Sequence, residues 1–543
     1  MLKRRNLYRF FSKYVFNNIL TLFWSFPIYK VLFLKKKYKF DFDKIRFNQF
    51  DNLYIEGHNI LYGEIELLGK KYDIDNLQNT YNLPPKIFNE LQGFRWLLHL
   101  KSLNTQAAND KAIYFFDSWV SNNRVHFDLG WELNILAERV SNWLICGEFF
   151  KDNKDILQRN KILASLNLQI AHLIKVYKIY FIEDKIKIFK AIILIYLATN
   201  VRANKINEVI ELLNNNIKEN IFHDGGHISR SPSYTLSYLE DLLIIYYSIK
   251  DNSALKHTLI RKHIDKLAVF IRTMRHSNGS LAVFNGGHES TKLKIDYLLS
   301  LSEISSPSSY YLRNSGFITL KTKFSSALID VGKSSKENNS SLSLEIAINQ
   351  NKIITNSVTI DPLEGNYGNL AQRLENSCLV LKVKGKILYF DLSNPNEIKI
   401  ERRTEDNWEI INVSYTGLKD YGINYHKTIY ISKNNSTYIL GEDLLSFQNS
   451  AHPSLQEAFL RFHFHPQIKS IALYKKGFLA LFEINEDNYF FSSIDNKMEI
   501  SKSYYKGYEG NRIKSYTIDI PFNLSSKIIK NEWSISLFKD INS

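Results

Sequence analysis

A chain of 543 residues is longer than one ordinary hydrophobic core can organise and has room for two large ones. Hydrophobic residues make up 44% with only 10 prolines, which excludes a largely disordered chain, and two distant cysteines, Cys146 and Cys378, exclude a disulfide framework or a cysteine-rich metal site. The formal charge of +15 fits an acidic partner; no zinc finger, helix-turn-helix or RNP-like aromatic pattern accompanies it, so nucleic acid is set aside.

Residues 1–39 form a basic and aromatic segment. Lys3-Arg4-Arg5 precedes an apolar stretch from Tyr14 to Leu34, which Lys35-Lys36-Lys37 closes. Asn17, Asn18, Ser25, Pro27 and Lys30 interrupt that stretch, which argues against a spanning helix, and no small-residue cleavage site marks a signal peptide. Two readings stay open: an amphipathic helix in peripheral contact with a membrane, or a helix packed on the first domain. Residues 40–83 read as a mixed entry segment with a short strand pair around Tyr62-Gly63-Glu64-Ile65-Glu66.

From about Pro84 to Met274 apolar residues recur at helical spacing, as in Trp131, Ile135, Leu136, Val140, Trp143 and Leu144. Helices are predicted over Asp155 to Val176, Lys185 to Thr199, Ala203 to Ile217, Leu236 to Tyr247 and Ala254 to Met274. Such a succession of helix pairs builds either a solenoid or a closed ring. The helical domain spans 40–300. Its arginine-rich end, with Arg272, Arg275 and His276, is a candidate source of positive charge at the junction.

After Asn285-Gly286-Gly287 the pattern changes to short alternating runs, including Phe317–Lys321, Ser343–Ile348, Cys378–Val383 and Lys427–Ile431. These runs predict an antiparallel β-sandwich over 301–543. In Leu460-Arg461-Phe462-His463-Phe464-His465 the strand period puts Arg461, His463 and His465 on one polar face, either the lining of a cleft or an exposed edge. Histidines two apart on a strand can share a metal, with His463 the first candidate ligand, although no third ligand is evident.

The densest polar segment is His223-Asp224-Gly225-Gly226-His227-Ile228-Ser229-Arg230-Ser231-Pro232-Ser233-Tyr234, a loop between two helices. Its glycines permit positive φ or close backbone approach, and Ser231-Pro232 suits a helix start. It reads either as a polar-capped turn or as a binding loop in which Arg230 holds an anion and Tyr234 exchanges a proton. Trp131-Glu132 offers an aromatic face and a carboxylate suited to stacking and hydroxyl binding, although Trp131 also fits a core position.

Asp224-Gly225-Gly226-His227, followed by Arg230-Ser231-Pro232 and Tyr234, resembles the signature of the heparinase II/III-like polysaccharide lyases. Gly130-Trp131-Glu132 with Arg139 and Asn142-Trp143, then Leu281 to Gly286, then Arg461 to Pro466 resemble further motifs of that family in the same order. The resemblance implies an N-terminal (α/α) toroid followed by a C-terminal antiparallel β-sandwich, with an anionic polysaccharide in the cleft between them. It implies β-elimination at a uronic acid, in which a base removes the C5 proton and an acid protonates the departing oxygen. Tyr234 and His227 are then the catalytic candidates, with His223 as a second imidazole in the loop. Arg230, Glu132, Trp131 and His465 are the substrate-binding candidates. No cofactor is required, while a structural zinc or calcium in the β domain is compatible with the family.

Two family positions differ. By ungapped counting, an Asn-His pair of many active members falls at Glu183-Asp184, and a second catalytic histidine falls at Asn376. Asparagine cannot act as a base at neutral pH. The sequence therefore supports two functions: a lyase of uronate-containing polysaccharide, or a non-catalytic glycan-binding or envelope-assembly protein that retains the fold. The expected location is the cell envelope or periplasm, with a membrane-peripheral cytoplasmic site as the alternative.

Overall fold

The computed structural model describes residues 37 to 538 except 46, 48–53, 68–69, 76–82, 84, 123–130, 152, 180–181, 183, 305, 334–340, 358–373, 389, 391, 393, 419–420, 435–437, 449–454 and 508–512. The basic N-terminal segment before residue 37, including its proposed membrane contact, lies outside the described residues, as do Gly130 and Glu183. No helix among the described residues is long and apolar enough to cross a membrane.

Two compact units emerge, one of residues 1–220 and 238–264, the other of 221–237 and 265–543. The first is helical. Its helices include Pro85–Gly93, Gln106–Asn122, Leu133–Ile145, Ile156–Val176, Ile186–Ala198 and Ala203–Asn220, the last three close to the predicted spans. Local chemistry sets the ends: Asp155 Oδ1 accepts the backbone N–H of Leu157 at 2.9 Å and of Gln158 at 3.0 Å, capping the Ile156 helix. Phe94, Phe116, Trp119, Trp143 and Phe150 pack together at centroid distances from 4.6 to 6.2 Å. Strand Glu64–Leu67 pairs antiparallel with Lys70–Asp73, the hairpin expected near Tyr62.

The helix Ile186–Ala198 is apolar almost all round, and Lys190 sits within it at 1% exposure. Its ammonium lies 2.5 Å from Asp241 and 3.2 Å from Glu138. Burial opposes the charge, but the two carboxylates outweigh it and hold Lys190 above the ordinary lysine range. Arg139, also fully buried, donates to Gln169 Oε1 at 2.8 Å and the Gln92 carbonyl at 3.1 Å, and lies 4.5 Å over the Trp119 ring.

The second unit holds two antiparallel sheets. One runs Ile398–Glu405, Trp408–Leu418, Ile423–Ser432, Ile439–Phe447, Ile528–Leu537, Asp487–Ser493, Leu479–Ile484, Ile471–Tyr474. The other runs Glu499–Tyr505, Ile513–Pro521, Leu455–Phe464, Asn351–Thr355, Leu344–Ile348, Ser325–Asp330, Phe317–Lys321, Tyr311–Leu312, with Leu379–Val383 also paired to Leu455–Phe464. Alternate residues of both sheets, such as Ile411, Val413, Tyr425 and Ile431 from one and Ile346, Leu381, Leu460 and Phe462 from the other, enter a single apolar cluster. This is the sandwich predicted from the alternating runs. The segment Ile221–Ser237, between two helices in sequence, groups with this β-rich unit.

Candidate active site

The glycine-rich loop is fastened by its own turn. Phe222 N–H donates to the Gly226 carbonyl at 2.8 Å and Gly225 N–H to Phe222 at 3.0 Å. Gly225 has φ +90, and a side chain there would strike the Lys266 carbonyl; at Gly226 a Cβ would overlap Ser315 Oγ and approach Phe270 to 2.6 Å. Only glycine permits this approach. The Asp224 carboxylate accepts the backbone N–H groups of Asn314 at 2.7 Å and Ser315 at 2.8 Å, together with the Ser315 hydroxyl.

Arg230 was expected to hold a substrate anion; the structure gives it another task. Its exposure is 6%, and its guanidinium pairs with Asp330, which is fully buried. Nε donates to the Ser315 carbonyl at 2.7 Å and Nη1 to Lys333 at 2.6 Å, while the guanidinium lies 5.1 Å over Phe317. With these donors spent inside the fold, Arg230 ties the loop to the first strands of the β-rich unit.

Helix Pro232–Ile249 starts as Ser231-Pro232 predicts: proline occupies the first helical position and Ser231 Oγ accepts the Tyr234 N–H at 3.4 Å. Thr235 Oγ1 donates to the Ser231 carbonyl at 2.9 Å and accepts the His227 N–H at 3.2 Å. Tyr234 therefore stands in the first turn, 42% exposed, with its ring 4.5 Å from that of His227. His227 is 5% exposed, and its Nδ1 accepts the Ser229 N–H at 3.0 Å. That bond uses the one lone pair of the neutral ring, which places the proton on Nε2 and leaves His227 ill-suited to act as a base. His223 is exposed at the loop's outer turn.

In the strand Leu455–Phe464, Leu460, Phe462 and Phe464 enter the core as the alternation requires. The opposite face is covered as well: His463 is 5% and His465 2% exposed, so neither forms the open polar edge expected. His463 Nε2 donates to the Leu374 carbonyl at 2.7 Å, and burial lowers the imidazole to about 4. Arg461 is paired with Asp519, 2.5 Å away. The metal reading of His463 does not fit this arrangement, since Nε2 is committed to a carbonyl. Among the described residues no group of three or more His, Cys, Asp or Glu side chains is arranged to hold an ion.

His465 instead joins a buried network. Glu289 Oε1 receives Tyr505 Oη at 2.5 Å, His465 Nε2 at 3.2 Å and Lys352 Nζ at 3.3 Å. Lys352 also reaches Glu345 at 3.1 Å, and His276 Nε2 lies 3.0 Å from the same carboxylate. Burial opposes ionisation of both carboxylates, but Lys352 and the histidine donors outweigh it and hold Glu289 and Glu345 below the usual range. His276, buried at 4%, and Arg275, 2.7 Å from Asp296, are thus internally paired instead of forming a free basic patch. Arg272 likewise donates to the Ser306 carbonyl at 2.7 Å.

Within the helical unit, Glu132 is exposed and lines a cavity of about 190 Å³ with Asn89, Glu90, Arg95, Glu138 and Lys187. It flanks the start of helix Leu133–Ile145 without a side-chain cap bond. Trp131 is half-buried, edge-on to His172 at 5.8 Å. Asp184 is turned to the backbone, its Oδ1 accepting the Ile186 N–H at 3.1 Å. Asn376 is 2% exposed. The sequence reading overlooked His288 and Glu289: His288 Nδ1 lies 3.3 Å from Ser233 Oγ, next to Tyr234. The only sequence signal was Gly286-Gly287 immediately before this histidine.

No family model and no curated protein sequence matches the chain. Solved structures do. A heparinase III structure is similar with a TM-score of 0.66 at 10% identity, covering 93% of this chain and 88% of its own. A second, described as a heparinase III gene product, has a TM-score of 0.61 at 12% identity over 93% and 86%. A heparan sulfate lyase mutant from Pedobacter heparinus has a TM-score of 0.56 at 10% identity over 89% and 82%. With its helical first part and antiparallel β-sandwich, the chain has a heparinase-like polysaccharide lyase fold.

Proposed function

We propose that the protein is a polysaccharide lyase that cleaves an anionic, uronate-containing glycan by β-elimination, with Tyr234 as a proton-transfer residue. The observation that carries this reading is the placement of Tyr234: an exposed phenol in the first turn of a helix whose start is fixed by Ser231, Thr235 and the clamped glycine loop. Preorganisation of this kind is what proton transfer at a defined carbon needs. The fold supports the reading, because its solved relatives are a heparinase III and a heparan sulfate lyase. The excess of positive charge suits an anionic chain. The cell envelope or periplasm is proposed as its place of action.

The test is incubation with a panel of uronate polysaccharides while following ultraviolet absorbance of the new C4–C5 double bond. Wild-type protein should generate it, and Tyr234→Phe should abolish it while retaining the native thermal midpoint. A second reading, a non-catalytic glycan-binding protein of the same fold, is favoured by Asp184, whose carboxylate serves as a helix-start acceptor, and by the buried amide of Asn376. Saturable glycan binding without any absorbance change in the whole panel would select it.

A further inference from the structure

Strand Ile398–Glu405 ends the eight-stranded sheet, pairing on one side with Trp408–Leu418 and on the other with no strand among the described residues. An open edge offers a row of backbone N–H and C=O groups to any other strand, and proteins blunt it with a proline, a bulge, a very short strand or charge. The far edge of the same sheet follows that rule: Ile471–Tyr474 has four residues and runs into Lys475-Lys476. Ile398–Glu405 has eight residues, contains no proline and keeps an unbroken register with its neighbour from Ile398 against Tyr415 to Glu405 against Trp408. Only charge is left to guard it. Along one face the exposed side chains alternate in sign, Lys399, Glu401, Arg403 and Glu405. Lys399 and Glu401 pair with each other at 2.6 Å, with 76% and 49% of their side chains exposed. Arg403 and Glu405 have no ion-pair partner among the described residues.

We infer that this edge is an interface between two copies of the chain, which join antiparallel through Ile398–Glu405 so that their eight-stranded sheets become continuous. Outward backbone groups belong to alternate residues of an edge strand, so the twofold axis relating two copies must pass through a residue position and not between two. Centred on Glu401 the paired span is 398–404, and centred on Arg402 it is 399–405; other centres engage less of the strand. The Glu401 centre sets Glu401 against itself and Lys399 against Arg403, and like charges directly opposite one another destabilise a sheet. The Arg402 centre sets Lys399 of one copy against Glu405 of the other and Glu401 against Arg403, each twice by symmetry. Arg403 and Glu405 thereby gain the partners they lack. On the other face Ile400 meets Thr404, and Arg402 meets its own equivalent, but each of those guanidiniums already carries Glu409 at 2.9 Å. Moving the centre on to Arg403 opposes Arg403 to itself and Glu401 to Glu405. Exposed ion pairs add little singly; the backbone ladder supplies the attraction, and the charges that repel other strands select one register.

The experiment measures the solution mass of the full-length chain by sedimentation equilibrium for wild type, Glu401→Arg and the double variant E401R/R403E. Wild type should be dimeric at about 100 μM, where a micromolar complex is almost fully formed. Glu401→Arg places positive charge against Arg403 at both symmetric positions and should raise the dimer Kd about tenfold or more. Exchanging the two charges in E401R/R403E should restore wild-type affinity. Register is read separately by cysteine crosslinking: Arg402→Cys should form a disulfide with its own equivalent under mild oxidation, because at the axis the two Cα atoms fall within the roughly 4.4–6.8 Å that a disulfide spans. Arg403→Cys, one position off the axis, should not. A wild type that stays monomeric at about 100 μM overturns the inference and leaves the charges as a guard against pairing. A dimer indifferent to Glu401→Arg, or a double variant as weak as the single one, overturns it equally. Thermal melts confirm that each variant is folded; if Glu401→Arg is not, the crosslinking of Arg402→Cys against Arg403→Cys decides.

Discussion

Arg230 shows how a residue type can be read correctly and its role misassigned. The sequence displayed an arginine beside two glycines and two histidines, a composition that suits an anion site. Its partner Asp330 lies 100 positions away and nothing local announces it. Arg230 also takes φ +58, a conformation that costs a non-glycine residue about 1–2 kcal/mol and persists only when its surroundings over-determine it. Replacing it with methionine leaves Asp330 buried without its cation. That variant should lose about 3–5 kcal/mol in urea denaturation, and the double variant R230M/D330N should regain part of the loss. A single variant as stable as wild type would refute the buried pairing. Ser231-Pro232-Ser233-Tyr234 was legible for the opposite reason: capping and proline preference act within four residues, so the helix start could be read from the chain alone. His288 was not legible, because its partner Ser233 is 55 positions away and its flanking glycines suggest only a turn.

At the level of elements, the strand Leu455–Phe464 separates what alternation determines from what neighbours determine. Alternation correctly sent Leu460, Phe462 and Phe464 into the core. It could not show that Ile513–Pro521 pairs on one side and Leu379–Val383 with Asn351–Thr355 on the other, making this an interior strand whose polar face is also covered. The consequence is acid lability. Burial holds His463 near 4, below the ordinary histidine value, so the unfolded chain binds its proton first as the pH falls. Its contribution is complete above about pH 6.5 and is lost as pH drops toward 4. Glu345 and Glu289, lowered from the usual carboxylate value, act in the same direction below about 4.5. The thermal midpoint should therefore decline steadily from pH 6.5 downward, and His463→Gln should flatten the upper part of that decline. A midpoint that is level between pH 6.5 and 4.5 would count against this account.

For the whole molecule, the formal charge of +15 bears on association more than on fold. Raising ionic strength from about 0.1 M to about 1 M shortens the screening length from about 10 Å to about 3 Å. If the glycan is drawn in by charge, KM for an anionic polysaccharide should rise several-fold over that range while kcat changes little. An unchanged KM would mean that the positive excess reflects composition alone. The helical and strand regions, the hairpin near residue 64 and the Ser-Pro helix start were legible in the chain alone, because periodicity, capping and turn chemistry are local. Three outcomes came from the folded chain instead: Ile221–Ser237 groups with the β-rich unit, Arg230 and His465 are internally paired, and His288 meets Ser233. Those outcomes depend on which distant donors and acceptors satisfy one another once buried, and that pairing is fixed by long-range packing that no local pattern encodes.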